Sequence, residues 1–345
     1  MVAITSLAAD EHSARIVLAA TLEPDDPMTG RLIAAVEAVD TVRLGSGTGA
    51  MPEWVDPVDG ELWRKKAAVR LDANVVARAL AETDRLGLGV LVSGDRDWPT
   101  GLNDLGDRAP TAVWIRGAAS LLTGPLRDRV TITGARAVTG YGEHVASELA
   151  SDLASAERII VAGGAYGMDA AAHCAALSGG GQTVAVLAGG LDRLYPTGNQ
   201  ELLERTGDLG LLLSELAPGS APTRTRFLAR NGVLAALSGA TVIVEAGFRS
   251  GALDVATRAA HLGRPVGAVP GPVTSAASSG THQLLRTRTA ALITGVEDIN
   301  ALLETSTMAN VRAFGREDRI SRSARQPRPG RALYLRARGG FLPVG

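Results

Sequence analysis

From Leu88 onward the chain repeats one unit: a short run of β-branched or aliphatic residues, then glycines, then a stretch of helical length. The runs are residues 90–93, 111–115, 130–133, 159–162, 184–187, 211–214, 241–245, 266–269 and 291–293. Helix-length segments at 142–156, 168–177, 198–206, 231–237, 253–262 and 282–288 lie between most of them. Strand alternating with helix, and strands apolar throughout, mean a mainly parallel sheet covered on both faces. In such sheets ligands bind beyond the carboxyl ends of the strands, which is where this sequence concentrates glycine.

The expected fold class is therefore α/β: an extended, Rossmann-like, mostly parallel sheet with helices on both faces, preceded by a small N-terminal helical domain. That domain is expected over residues 1–87, because 13–20, 30–38 and 73–86 carry apolar residues at helical spacing (Val75, Val76, Leu80 and Leu86 in the last). A Gly/Pro-rich stretch at 45–60 separates them. The sheet domain is expected over 88–303. Residues 304–345 hold nine arginines, from Arg312 to Arg338, among Ser, Gly and Pro, and read as a basic disordered tail. The tail either adds electrostatic affinity for a polyanion or is a solvated end.

The net charge of −1 is unevenly spread. Residues 1–90 carry 14 acids and 9 bases, residues 91–302 carry 19 and 17, and residues 303–345 carry 3 and 9. Lysine occurs only at Lys65 and Lys66, so almost all positive charge is arginine. No apolar run reaches the ~18–20 residues that span a bilayer, and the opening segment has no basic stretch before its apolar one. The single cysteine, Cys174, excludes an internal disulfide and a multi-cysteine metal site. A cytoplasmic protein is expected.

Six loops carry the chemistry. The first, Gly134-Ala135-Arg136, runs from a strand to a helix start, where free N–H groups and the helix dipole favour an anion and Arg136 adds charge. The second holds Gly163, Gly164, Tyr166 and Gly167, then Asp169 and His173. Asp169 fits a helix cap and His173, four residues on, shares its face; with no further ligand in sight the pair reads as a cap and a packed imidazole rather than a metal site. The third holds Gly189, Gly190, Arg193 and Tyr195. The fourth, Arg224-Thr225-Arg226-Phe227-Leu228-Ala229-Arg230-Asn231, is the strongest basic patch and is read as a loop before a helix. The fifth holds Phe248, Arg249, Ser250 and Gly251; the sixth holds Pro270-Gly271-Pro272 and Ser278 to His282. One glycine loop permits only a tight turn. Several along one sheet edge, with aromatic residues among arginines, fit an extended polyanion with stackable bases better than a single cofactor.

In this order the loops resemble the DNA-processing protein A family (DprA, also called Smf), over about residues 97–303. The resemblance rests on Thr133-Gly134-Ala135-Arg136, Gly167-Met168-Asp169 with His173, Gly190-Leu191-Asp192, Tyr195-Pro196, Ser214-Glu215, Phe227 with Arg230-Asn231, Val244-Glu245-Ala246, Ser250-Gly251-Ala252-Leu253 and Val269-Pro270-Gly271. It implies binding of single-stranded DNA without strong sequence preference, loading of the RecA recombinase in natural transformation, a homodimer, no cofactor and no catalytic activity. The loops and the resemblance together give the expected DNA-binding set as Gly134, Arg136, Gly164, Tyr166, Gly167, Gly190, Arg193, Arg226, Phe227, Arg230, Asn231, Arg249, Ser250 and Gly251, of which Arg136, Phe227, Arg230 and Asn231 match the family's motifs. Four positions depart from the family pattern. Tyr166 and Gly232 stand where basic residues are usual, Asp254 brings an acid into the fifth loop, and His282 replaces an asparagine.

The alternative is a nucleotide-handling, phosphoribohydrolase-like enzyme of related fold. Its Pro-Gly-Gly-x-Gly-Thr signature has only a partial counterpart here, residues 245–251, without the proline, the paired glycines and the catalytic acid. A dinucleotide-dependent oxidoreductase is disfavoured because no G-x-G-x-x-G with a following acid succeeds the first strand.

Overall fold

Aspartates start four of the first five helices. In this computed structural model, which describes residues 3–304, α1 spans Ile4–Leu7, α2 Glu11–Thr21, α3 Pro27–Gly45, α4 Pro57–Arg70 and α5 Ala73–Arg85. The carboxylates of Asp10, Asp26, Asp56 and Asp72 accept backbone N–H groups of α2, α3, α4 and α5, and prolines open α3 and α4. α4 overturns the expectation of an irregular Gly/Pro stretch up to residue 60; the Asp56-Pro57 start overrides the weak apolar periodicity that follows. α3 is broken at Glu37, whose φ is +66°. The break frees the Ala38 N–H, which the Glu11 carboxylate takes at 2.7 Å.

Nine strands form one sheet: β1 Gly89–Val92, β2 Ala112–Gly117, β3 Arg129–Thr133, β4 Ile159–Ala162, β5 Thr183–Leu187, β6 Leu211–Ser214, β7 Ala240–Ile243, β8 Val266–Ala268 and β9 Ala291–Leu292. Their order is β1-β2-β6-β5-β4-β3-β7-β8-β9, with β1–β2 and β2–β6 antiparallel and all other pairs parallel. The chain winds outward from β3 to β6, then returns to β7 on the other side of β3. β3 and β7 are thus neighbours whose connections leave in opposite directions, the place where α/β sheets open a crevice.

Alternate residues of each strand pack on opposite faces. Ile160 and Val242 pack with α6 (Gly140–Ser155) and α7 (Met168–Ser178). Ile159, Val161, Val184 and Val186 pack with α9 (Arg224–Leu237) and α10 (Ala252–His261). The two remaining long elements are α8 (Gln200–Leu209) and α11 (Ser279–Arg286), and residues 296–304 form a last helix. Near β2, Ile16, Ala19 and Ala79 of the first helices join Trp114, Leu187 and Leu203 in one apolar cluster, and Trp114 Nε1 donates to Thr83 Oγ1 at 3.1 Å. Among the described residues, no helix is long and apolar enough to cross a membrane. The expected basic tail lies beyond the described residues.

Candidate functional site

β6, β5, β4, β3, β7 and β8 run parallel, so the segments that follow them leave from the same edge. At its centre, the Ala135 N–H donates to Glu245 O at 2.7 Å and binds the β3 loop to β7. Gly134 is needed for this approach, since a Cβ there would strike the Glu245 backbone and Met168. Thr139 caps α6, and the Glu245 carboxylate, 1 % exposed, accepts both the Thr139 N–H (3.2 Å) and its Oγ1 hydroxyl (2.8 Å). Glu245 is assigned no role in the sequence reading; its signal is an acid at the end of an apolar strand.

The β4 loop is shaped by Gly164 and Gly167 at φ +74° and +83°. Tyr166, half exposed, has its hydroxyl fixed by the Gly198 N–H at 3.1 Å, so it presents a ring rather than the family's cation. Asp169 does not cap α7, whose cap residue is Gly167 with no side-chain bond. Its carboxylate is buried, accepting from Thr133 Oγ1 (2.7 Å) and the Ala165 N–H (3.2 Å). Burial raises its pKa, and the nearby Arg230 charge opposes the rise. His173 is a packed imidazole: Nδ1 meets Thr183 Oγ1 at 2.7 Å, and burial pushes its pKa down to about 4. Among the described residues, no cluster of three or more His, Cys, Asp or Glu side chains could hold a metal ion.

Residues 224–231 are not a loop. They form the first two turns of α9, with Thr223 as cap, so they point in different directions. Arg224 is exposed, and Phe227 is half-buried at the crevice. Arg226 faces the first helices, where Glu23 takes Nε (3.0 Å) and Nη2 (2.9 Å). Arg230 is 6 % exposed and donates Nη1 to Gly163 O and Val186 O, both at 2.8 Å. Asn231 Nδ2 donates to Asp254 Oδ2 at 3.0 Å, and Arg258 Nε reaches the same oxygen at 3.1 Å, so the unusual acid is neutralised from two sides.

Phe227 and Arg136 make a ridge. The Arg136 guanidinium carbon lies 4.8 Å from the ring centroid and that of Arg230 5.6 Å; Tyr195 meets the ring edge-on at 6.1 Å. On one side of the ridge lies a narrow hollow of about 30 Å³ lined by Tyr166, Gly190, Arg193 and Tyr195. On the other is an open groove of about 970 Å³ along the β3/β7 crevice, lined by Gly134, Arg224, Arg249, Ser250 and Gly251. Gly251, the cap of α10, is exposed with open space around it. Arg136, Arg193, Arg224 and Arg249 are exposed and pair with no carboxylate among the described residues. The structure thus gathers most of the expected residues on one edge and withdraws Arg226, Arg230 and Asn231 into other contacts.

The profile of the DNA recombination-mediator protein A family matches residues 89–304. The chain belongs to that family. It is 44% identical over 279 residues to a protein of Mycobacterium tuberculosis assigned as DNA processing protein DprA, covering 78% of this chain and 68% of that one. It is 38% identical over 210 residues to the DNA processing protein DprA of Streptococcus pneumoniae, covering 61% and 72%. The X-ray structure of the S. pneumoniae protein superposes with a TM-score of 0.68 at 27% identity, over 85% of this chain and 97% of that one. DNA processing protein A of Helicobacter pylori, whose structure describes its own single-stranded DNA binding mode, gives 0.57 at 32% identity, over 63% and 96%.

Proposed function

We propose that the crevice edge of the sheet binds single-stranded DNA without strong sequence preference, and that the chain helps load RecA recombinase onto that strand in natural transformation. The observation that carries the reading is the open groove: exposed, unpaired Arg136, Arg224 and Arg249 stand around Phe227. Phosphates need such cations and bases need such a ring. Gly251 at the α10 start has open space around it and lets a backbone come close, whereas Gly134, Gly164, Gly167 and Gly190 shape the turns that hold the edge, and Arg193 and Tyr166 extend the surface. The H. pylori relative's described binding mode supports the reading. The protein acts as a cytoplasmic homodimer, without a cofactor and without catalysing a reaction. Against the nucleotide-cleaving alternative, the acid at the crevice, Glu245, is already engaged by Thr139.

Titration with fluorescent poly(dT), AMP and NAD tests this. Oligonucleotide binding should weaken steeply with salt. Arg136→Ala should lower the slope of log K against log salt by about one, with little change in melting temperature. Tight AMP binding with base release, and no oligonucleotide binding, would sink the proposal. Recombinase filament assembly on the bound strand tests the loading step.

A further inference from the structure

We propose that Arg230 is a positioning residue, not a phosphate ligand: from inside the protein it joins the ends of β4 and β5 and sets Phe227 at the crevice. The inference rests on the DNA-binding reading above. β4 and β5 pair in register through Val161 with Val184 and Ala162 with Ala185. The next residues in that register are Gly163 and Val186, and here the strands' own pairing stops. Arg230 Nη1 donates to both of their carbonyls. One guanidinium nitrogen therefore stands where a ladder bond would be, and the β4 loop turns away from the sheet above it.

The surroundings leave little freedom. A Cβ at Gly163 would overlap the guanidinium and the Asp169 carboxylate, so only glycine lets them lie there. The Asp169 charge offsets the cost of burying Arg230, and the Thr133 hydroxyl and Ala165 N–H hold that carboxylate. Phe227 precedes Arg230 by three residues on α9, which puts the two side chains on one helix face. The ring lies against the guanidinium at 5.6 Å and against Arg136 at 4.8 Å. Strand ends, ring and exposed arginine are thus stacked on one buried cation. Of the other donors, Nε is also buried and has no partner among the described residues; a phosphate taken by any of them would show in the salt slope of a charge-removing variant.

The test uses the full chain with Arg230→Lys, Arg230→Gln and Arg136→Ala. Lysine keeps a charge near Asp169, but its flexible stem lacks the rigid guanidinium plane that fixes Nη1 between the two carbonyls and lies against Phe227. Without DNA, Arg230→Lys should speed amide exchange in residues 163–167 and 187–190, and Arg136→Ala should not. With a labelled dT oligomer, Arg230→Lys should lose about tenfold in affinity, the scale of one charge-assisted hydrogen bond, at an unchanged salt slope. Arg136→Ala should lower the slope by about one. A slope lowered by about one in Arg230→Gln, which removes the charge that lysine keeps, makes it a phosphate ligand and overturns the inference. So does unchanged exchange in both loops, or faster exchange with unchanged affinity. If the wild-type chain binds no oligomer, the DNA reading fails by itself, and the exchange result still decides whether Arg230 joins the strand ends.

Discussion

Along the crevice edge, Arg136, Arg193, Arg224 and Arg249 are exposed and without acidic partners among the described residues. At the seam where the turn between α2 and α3 meets α9 and α10, arginines are held instead. Glu23 takes Arg226 and Arg70, and Asp25 takes Arg258 and Arg108. The residue type is the same; the difference is whether the fold brings a carboxylate beside it. An arginine already paired must give up that pair before it can take a phosphate, whereas an unpaired, hydrated one has only water to lose. Local arginine density therefore does not tell free arginines from held ones, and the accounting of partners does.

The largest expected effect lies at the seam. Glu215 is buried there with one carboxylate oxygen unpartnered, and burial, with the charge of Asp25, pushes its pKa up to about 8. A carboxyl that holds its proton more tightly when folded contributes stability that is complete below its unfolded pKa, near 4.5, and is lost as pH rises toward 8. The loss amounts to about 1.4 kcal/mol per pH unit, a few kcal/mol in all. Glu215→Gln should flatten the denaturation midpoint between those pH values and leave the variant the more stable chain at pH 8. An unchanged pH profile would mean that the seam does not hold this acid neutral.

At the edge, Phe227→Ala should weaken oligonucleotide binding by about ten- to a hundredfold, the range of one lost stacking platform. Affinity within twofold of wild type would remove the ridge from the interface. The smallest effect separates the regions most directly. Glu23→Gln should lower stability by less than about 1 kcal/mol, because the pair is partly solvated, and leave oligonucleotide affinity unchanged. A rise in affinity would show that Glu23 masks Arg226 from DNA and would erase the distinction between seam and edge.

Much of this fold was legible in the sequence. All nine strands among the described residues fall on the apolar runs, and β3 to β8, buried on both faces, need little more than that. α9 was placed seven residues late, since Arg224-Thr225-Arg226 reads as a solvated loop; the overlooked signal was Thr223, which accepts the Arg226 N–H at 3.3 Å. α4 was hidden by weak periodicity behind Asp56-Pro57. The site was legible as a set of loops but not as a set of free charges. Arg226 finds its acid 203 residues away, and Arg258 finds Asp25 233 residues away. Nothing local in the sequence reveals that Arg230 is buried at the ends of β4 and β5.

The parallel stacking of β6, β5, β4, β3, β7 and β8 also fixes a ruler. Neighbouring strands lie about 4.8 Å apart, so the loop-bearing edge is roughly 24 Å wide. A strand stacked at about 3.4 Å per nucleotide crosses it in about seven nucleotides, and a stretched one in fewer. On the proposed reading, one copy of the chain covers only a short footprint. A long strand should take up protein in proportion to its length, as a row of adjacent copies.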